Sequence, residues 1–272
     1  MTPLSIRHIL FPYDFSEQGR QAAPFVSAFA KDFGARLTLL GVAPPGSDAR
    51  PVLQCQLNRA LVGEFAGLCV DRVAECGDAA LRIADFAHSR DVDLVMMPTH
   101  GLGLFRRVLA GSVTSKVLHD VRCPVWTAAH TETQHAPAIP RTVLCAVDGA
   151  TEGVPLLQYA ALFSKRVGAT LTVLHVVEPM SDWPSLARER ALQEEAREVA
   201  SQAVASMLTS AGVEAVSKVV VGEIVTRAVE TAREAHADLL IVERVAVAEP
   251  FGRIRTHTFG IIEQSPCPVL SV

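Results

Sequence analysis

Long apolar runs are missing from this chain: none reaches the ~18–20 residues that a bilayer-spanning helix needs. No membrane partner is therefore expected. The opening residues, MTPLSIRHILFPYDF, lack the charged segment and long apolar stretch of a signal peptide, so the cytoplasm is the expected compartment. Aromatic residues are scarce at 6%, and the net charge is −4. That combination offers neither a base-stacking platform nor a basic footprint, so nucleic acid is not an expected partner. The six cysteines, Cys55, Cys69, Cys76, Cys123, Cys145 and Cys267, include no C-x-x-C pair. A zinc site or disulfide framework is not indicated. Most of these cysteines lie in apolar, strand-like segments, where the residue acts as a small hydrophobe. Disorder is excluded as well, because hydrophobic residues make up 49% and charged residues only 20%.

What the chain does have is an internal repeat. HILFPYD, ending at Asp14, returns as TVLCAVD, ending at Asp148. ARLTLLGVAPP returns as ATLTVLHVVEP, and GDAALRIADFAHSRDVDLVMM as GEIVTRAVETAREAHADLLIV. RCPVWTA near residue 122 returns as PCPVLSV at residue 266. The order is kept while the offset drifts between about 134 and 145 residues, which marks duplication of a whole domain rather than a short-repeat solenoid. The stretch HTETQHAPAIP is polar, proline-containing and aperiodic, as a linker should be. The boundary is placed near residue 136, giving domains 1–136 and 137–272.

Each copy alternates short β-branched runs with longer amphipathic stretches. In the first copy the pattern predicts strands at 7–12, 36–42, 70–75, 93–98 and 123–128. It predicts helices near 16–33, 54–68, 79–90 and 112–121. LVMM and LLIV are continuous apolar runs, as strands covered on both faces are. The expected fold class is α/β: two tandem copies of a five-stranded, parallel, open, Rossmann-like sheet with helices on both faces. In the second copy 183–212 reads as one long helix stopped at Gly212.

Open parallel sheets bind ligands beyond the carboxyl ends of their strands, where strand order reverses. Asp14 follows the first strand, Val42 ends the second, and PTHGLGLFRRVLAGS follows the fourth. That last stretch sets Gly101 and Gly103 past a strand and Gly111-Ser112 at the start of a helix. A helix amino terminus carries unpaired N–H groups and a partial positive charge, and glycine lets the backbone approach phosphate oxygens closely. The same spacing also suits an ordinary β–α loop with a serine cap. Asp14 has two readings as well: a ribose contact, or a capping box in D-F-S-E with Glu17 as its partner.

Taken together, ILFPYDFSE, LTLLGV, GDAALRIADFA, DLVMMPTHG and FRRVLAGSVTSKVLHDVRCPVW resemble the universal stress protein family over essentially the whole chain. That family has an adenine-nucleotide-binding α/β fold and a motif G-x-x-G, nine residues, then G-[S/T]. Here Gly101, Gly111 and Ser112 match it, and Pro98 replaces the first glycine, removing one backbone N–H. The resemblance implies ATP, with Mg²⁺, as the ligand. It implies adenine and ribose recognition by Asp14 and Val42, and phosphate contacts from Gly101, Gly111 and Ser112, with Met97 and Val113 close by. Arg106 and Arg107 lie in the loop between the glycines. The resemblance also implies a stress-response role, and pairing of the strands after Cys123-Pro124-Val125 and Cys267-Pro268-Val269. That pairing would be intramolecular or within a homodimer.

In the second copy Asp148 persists, but Pro98 becomes Glu243, Gly101 becomes Ala246 and Gly111-Ser112 become Arg255-Thr256. A carboxylate where phosphate charge would sit is unfavourable, so this copy reads as structural, with Thr256 a candidate helix cap. Two alternative functions stand beside nucleotide binding: a nucleotide-independent signalling scaffold, and a slow ATPase. The ATPase reading lacks a G-x-x-x-x-G-K-[ST] loop and has one pocket carboxylate, Asp14, with His100 as the available base.

Overall fold

The structure is a computed structural model, and it describes residues 4–99, 112–128, 139–148, 153–179, 186–244 and 254–272. The first half runs β1 (His8–Pro12), α1 (Glu17–Phe33), β2 (Arg36–Ala43), α2 (Arg50–Arg59), β3 (Val70–Cys76), α3 (Ala79–Ser89), β4 (Leu94–Pro98), α4 (Ser112–Asp120) and β5 (Val125–Ala128). The second half repeats this order with β6 (Thr142–Val147), α5 (Val154–Val167), β7 (Thr170–Val177), α6 (Leu186–Ala211), β8 (Val216–Val221), α7 (Ile224–Glu234), β9 (Leu239–Val242), α8 (Ile254–Gln264) and β10 (Val269–Ser271).

The two expected sheets are one. Ten strands lie in the order β3-β2-β1-β4-β5-β10-β9-β6-β7-β8, which reads the same from either end. Within each half every pairing is parallel; at the centre β5 and β10 pair antiparallel, with Trp126 opposite Leu270. The pairing expected of the C-P-V strands is thus made within one chain. It leaves β5 and β10 as interior strands rather than open edges.

Strand alternation sorts the side chains onto two faces. Ile9 and Phe11 pack with α1 and α2 residues such as Val26, Phe29 and Leu57, and this core runs on into α5 and α6 through Phe163 and Val204. Leu10 points the other way, into a core with Ile83 of α3, Val117 of α4, Val229 of α7 and Ile262 of α8. Phe29 of α1 stacks on Phe163 of α5, with ring centroids 6.2 Å apart. Arg166 joins Asp32 at 2.9 Å and lies over the Phe33 ring.

Duplicated local devices explain why both halves fold alike. Asp93 accepts from the N–H groups of Arg7 and His8, and Asp238 does the same for Arg141 and Thr142. Each ties the start of a half's fourth strand to the start of its first. Gly77 and Gly222 follow β3 and β8 with φ of 146° and 151°, a backbone that only glycine adopts without strain. Asp78 and Glu223 then cap α3 and α7 by accepting from backbone N–H groups; the Leu81 N–H holds the Asp78 carboxyl below its ordinary pKa, and the Thr226 hydroxyl, with the capping N–H groups, does so for Glu223.

Helix α2 departs from the sequence reading. It spans 50–59 rather than 54–68, with Pro51 in its first turn and Leu61 in the left-handed region at φ 51°. The apolar stretch LVGEFAGL is instead a run of turns. Gly63 and Gly67 break its helical continuity while Leu61 and Phe65 still reach the core. Two cysteines also depart: Cys55 lies exposed on α2, and Cys69 lies exposed ahead of β3. Among the described residues no helix is long and apolar enough to cross a membrane.

Candidate functional site

Strand order reverses between β1 and β4 in the first half, and between β6 and β9 in the second. The first crevice is built from the carboxyl ends of β1, β2 and β4 together with the start of α4. Register sets the depth of each contributor: Pro12 lies opposite Leu40, and the next amide, Tyr13 N–H, also donates to the Leu40 carbonyl at 2.8 Å. Asp14 therefore emerges beside Val42 as the chain leaves β1.

Asp14 is exposed, and its Oδ1 accepts the Ser16 N–H at 3.0 Å. Asp14 is not the helix cap. Ser16 is, with Oγ accepting from Gly19 N–H, and Glu17 pairs with Arg20 rather than closing a box. The physical reason lies in Phe15, which turns the chain at φ 62° and starts the helix two residues later than D-F-S-E suggests. A left-handed phenylalanine is strained, and its ring is braced against Tyr13 at 4.9 Å. The Arg20 guanidinium also donates to the Phe15 carbonyl at 3.1 Å.

Val42 is half-buried at the end of β2, and Gly41 before it lies close under Leu57 of α2. Met97 is buried in the core beneath α3 and α4. Ser112 is the first residue of α4, and Val113 beside it is half-buried. Gly101 and Gly111 lie outside the described residues, as do His100, Arg106 and Arg107. The amino terminus of α4 is nonetheless anchored. Thr114 Oγ1 sits 3.2 Å from the Thr99 carbonyl and 3.4 Å from that of Pro98, clipping the first helical turn to the end of β4. Sequence reading passed over Thr114, although its recurrence as Thr258 in the second copy was available as a signal.

Pro98 ends β4 opposite Ala128. Val95 N–H faces β5, so by alternation the nitrogen of Pro98 faces β1, whose register with β4 stops at Val95. The missing N–H therefore breaks no ladder.

The second crevice keeps the clip, Thr258 Oγ1 to the Glu243 carbonyl at 3.2 Å, and an exposed Asp148. Thr99 is replaced there by Arg244, which turns toward the central seam. Its Nη2 donates to the Cys123 carbonyl at 2.8 Å, its backbone N–H donates to the Val272 carbonyl, and its Nη1 is buried without an acceptor among the described residues. Burial holds the Arg244 guanidinium below its usual pKa. Thr256 is not a cap, because α8 begins two residues earlier at Ile254.

A doubly wound α/β sheet with its crevice at a strand-order reversal defines a class of ligand-binding proteins. The profile of the universal stress protein family matches residues 5–128 and again 140–272, so the chain belongs to that family. Universal stress protein Sll1654 of Synechocystis is 33% identical over 133 residues, 45% of this chain and 85% of that protein. A universal stress protein of Mycolicibacterium smegmatis is 27% identical over 207 residues, 69% of each chain. The crystal structure of a universal stress protein from Archaeoglobus fulgidus superposes with a TM-score of 0.71 at 20% identity, covering 98% of this chain and 96% of that one.

Proposed function

We propose that the N-terminal half binds an adenine nucleotide, ATP in preference, and that occupancy of this one crevice is the signal of a stress-response regulator. The observation that carries the reading is the strained turn at Phe15, which presents the exposed Asp14 at the strand-order reversal between β1 and β4. Helix N–H groups suit phosphate oxygens, and an exposed carboxylate suits ribose hydroxyls. Among the described residues no group of three metal-ligating side chains occurs. Mg²⁺ would accordingly arrive on the phosphates, as it commonly does, rather than in a cage of protein ligands. Free cysteines exposed at Cys55 and Cys69 suit a reducing cytoplasm.

Calorimetry of the full chain with Mg-ATP tests this reading. One site per chain, lost in Gly111→Glu, is expected. Absence of binding at millimolar ATP sinks it, and two sites per chain overturn the assignment of the second half as structural. Turnover abolished by Asp14→Ala would move the reading to an ATPase.

A further inference from the structure

A cavity of about 510 Å³ opens on the α3 side of β1, β2 and β3, and neither Asp14, Val42 nor Met97 lines it. Its walls carry five arginines against three carboxylates, an excess of positive charge in a chain that is negative overall. Two of the arginines are used on the backbone at the β3 edge. Arg50 donates to the Ala74 carbonyl at 2.8 Å, and Arg72 to that of Leu57 at 2.9 Å. Arg82 stands 3.8 Å from Asp85. Arg36 and Arg90 remain, at the end of the cleft nearest His8.

Neither is well satisfied. Arg36 Nε lies 3.9 Å from Asp71, beyond hydrogen-bond reach. Its Nη2 lies 3.0 Å from His8 Nδ1, yet that nitrogen is also 3.0 Å from the Arg90 carbonyl oxygen. A neutral imidazole nitrogen can donate to the carbonyl or accept from the guanidinium, not both. His8 Nε2 meets Thr38 Oγ1 at 2.8 Å, so the ring has no further acceptor to offer. The Arg90 guanidinium lies 5.8 Å over the Phe86 ring and, among the described residues, makes no ion pair with a carboxylate.

The second half shows that the fold does not require this arrangement. There His8 is replaced by Thr142, Arg36 by Thr170 and Arg90 by Ala235. The cations that remain are closed into ion pairs, Lys218 with Glu234 at 2.7 Å and Arg227 with Glu230 at 2.8 Å. The same scaffold thus forms with the described charges at this place matched, whereas the first half holds two under-satisfied guanidiniums at one end of an open cleft.

We infer that this cleft is a second anion site, taking the phosphate group of a small phosphorylated molecule between Arg36 and Arg90. Two guanidinium forks offer more donors than one carboxylate can accept, whereas a phosphate dianion matches both their charge and their number of N–H groups. The site is independent of the nucleotide crevice, which lies at the carboxyl ends of the strands.

The probe is inorganic phosphate, titrated into the full chain and followed by calorimetry and by amide shifts. Saturable binding at one site is expected, with shifts at Thr38 and Arg90. Arg36→Gln with Arg90→Gln weakens it by at least about tenfold, while the thermal midpoint stays unchanged because both side chains are exposed. Arg227→Gln and Gly111→Glu leave it intact. Non-saturable binding, indifference to the double substitution, or loss in Gly111→Glu overturns the site. Succinate binding as tightly as phosphate overturns the choice of ligand. Failure of ATP to bind elsewhere on the chain bears on none of these outcomes.

Discussion

Removing one ring at the seam should separate the two halves. Phe163 of α5 is fully buried, with ring centroids 6.2 Å from Phe29 and 6.4 Å from Phe33, both on α1, and 6.5 Å from Tyr159. The central strand pairing is short, three residues on each side, so much of the coupling between halves rests on this aromatic layer. Phe163→Ala is expected to cost about 3–5 kcal/mol in lost transfer energy and cavity. That is a large part of the roughly 5–15 kcal/mol that holds a domain folded. Phe11→Ala removes an equally buried ring that lies among Tyr13 and Phe65, wholly inside the first half. Urea unfolding followed by circular dichroism should give one transition for the parent and a single transition at lower urea for Phe11→Ala. For Phe163→Ala it should split into two, each with a shallower slope, because each half then exposes its own surface. If Phe163→Ala gives one transition with the parent slope, the seam is not where the halves are coupled.

Four other substitutions test separate parts of the structure. Thr114→Val keeps the shape but breaks the clip to Thr99, so it should cost about 1 kcal/mol of stability and weaken ATP binding. Thr258→Val should lose similar stability, seen in the same unfolding curves, with no change in ATP titration. His8 is buried, and burial lowers its pKa, so the unfolded chain takes up its proton more readily than the folded one. Its contribution to stability is complete above about pH 6.5 and is lost as pH falls toward the lower folded value. His8→Gln should flatten that acid slope in thermal melts. Gln54 acts as a substitute strand partner for β3, accepting from Ala74 N–H at 3.0 Å and donating to the Arg72 carbonyl at 2.8 Å. Gln54→Ala should uncover that edge and produce concentration-dependent association in light scattering.

Periodicity recovered nearly every strand because buried parallel strands are continuous apolar runs, and β1, β2 and β4 begin and end within a residue or so of their expected limits. It misplaced α2 because LVGEFAGL is apolar at helical spacing, while its course is decided by Gly63, Gly67 and a left-handed Leu61. The joining of the two sheets was open in the sequence, since a C-P-V strand pairs equally well within a chain or between chains. Of the candidate crevice, the places of Asp14 just after β1 and of Val42 near the end of β2 were legible from the strand pattern. Thr114 was passed over, because a threonine inside a helix does not show that its hydroxyl reaches a carbonyl sixteen residues earlier, and its recurrence as Thr258 was the one sign of it. The cleft at Arg36 and Arg90 was equally hidden: its residues come from β1, β2, β3 and α3, and only the register brings them to one face.

Comparison of the halves also separates what the scaffold needs from what it merely carries. Asp93 and Asp238, Gly77 and Gly222, and Thr114 and Thr258 are kept in both copies, and each performs the same backbone task twice. Their persistence says nothing of ligands. One set of differences falls at the crevice, where Pro98-Thr99 becomes Glu243-Arg244. Arg244 does not rebuild a phosphate site there. It reaches across the seam to the Cys123 carbonyl and accepts burial with Nη1 unsatisfied, an arrangement that costs stability unless it fixes something else. What it fixes is the alignment of the end of β9 with the entry to β5, at the one place where the sheet changes from parallel to antiparallel.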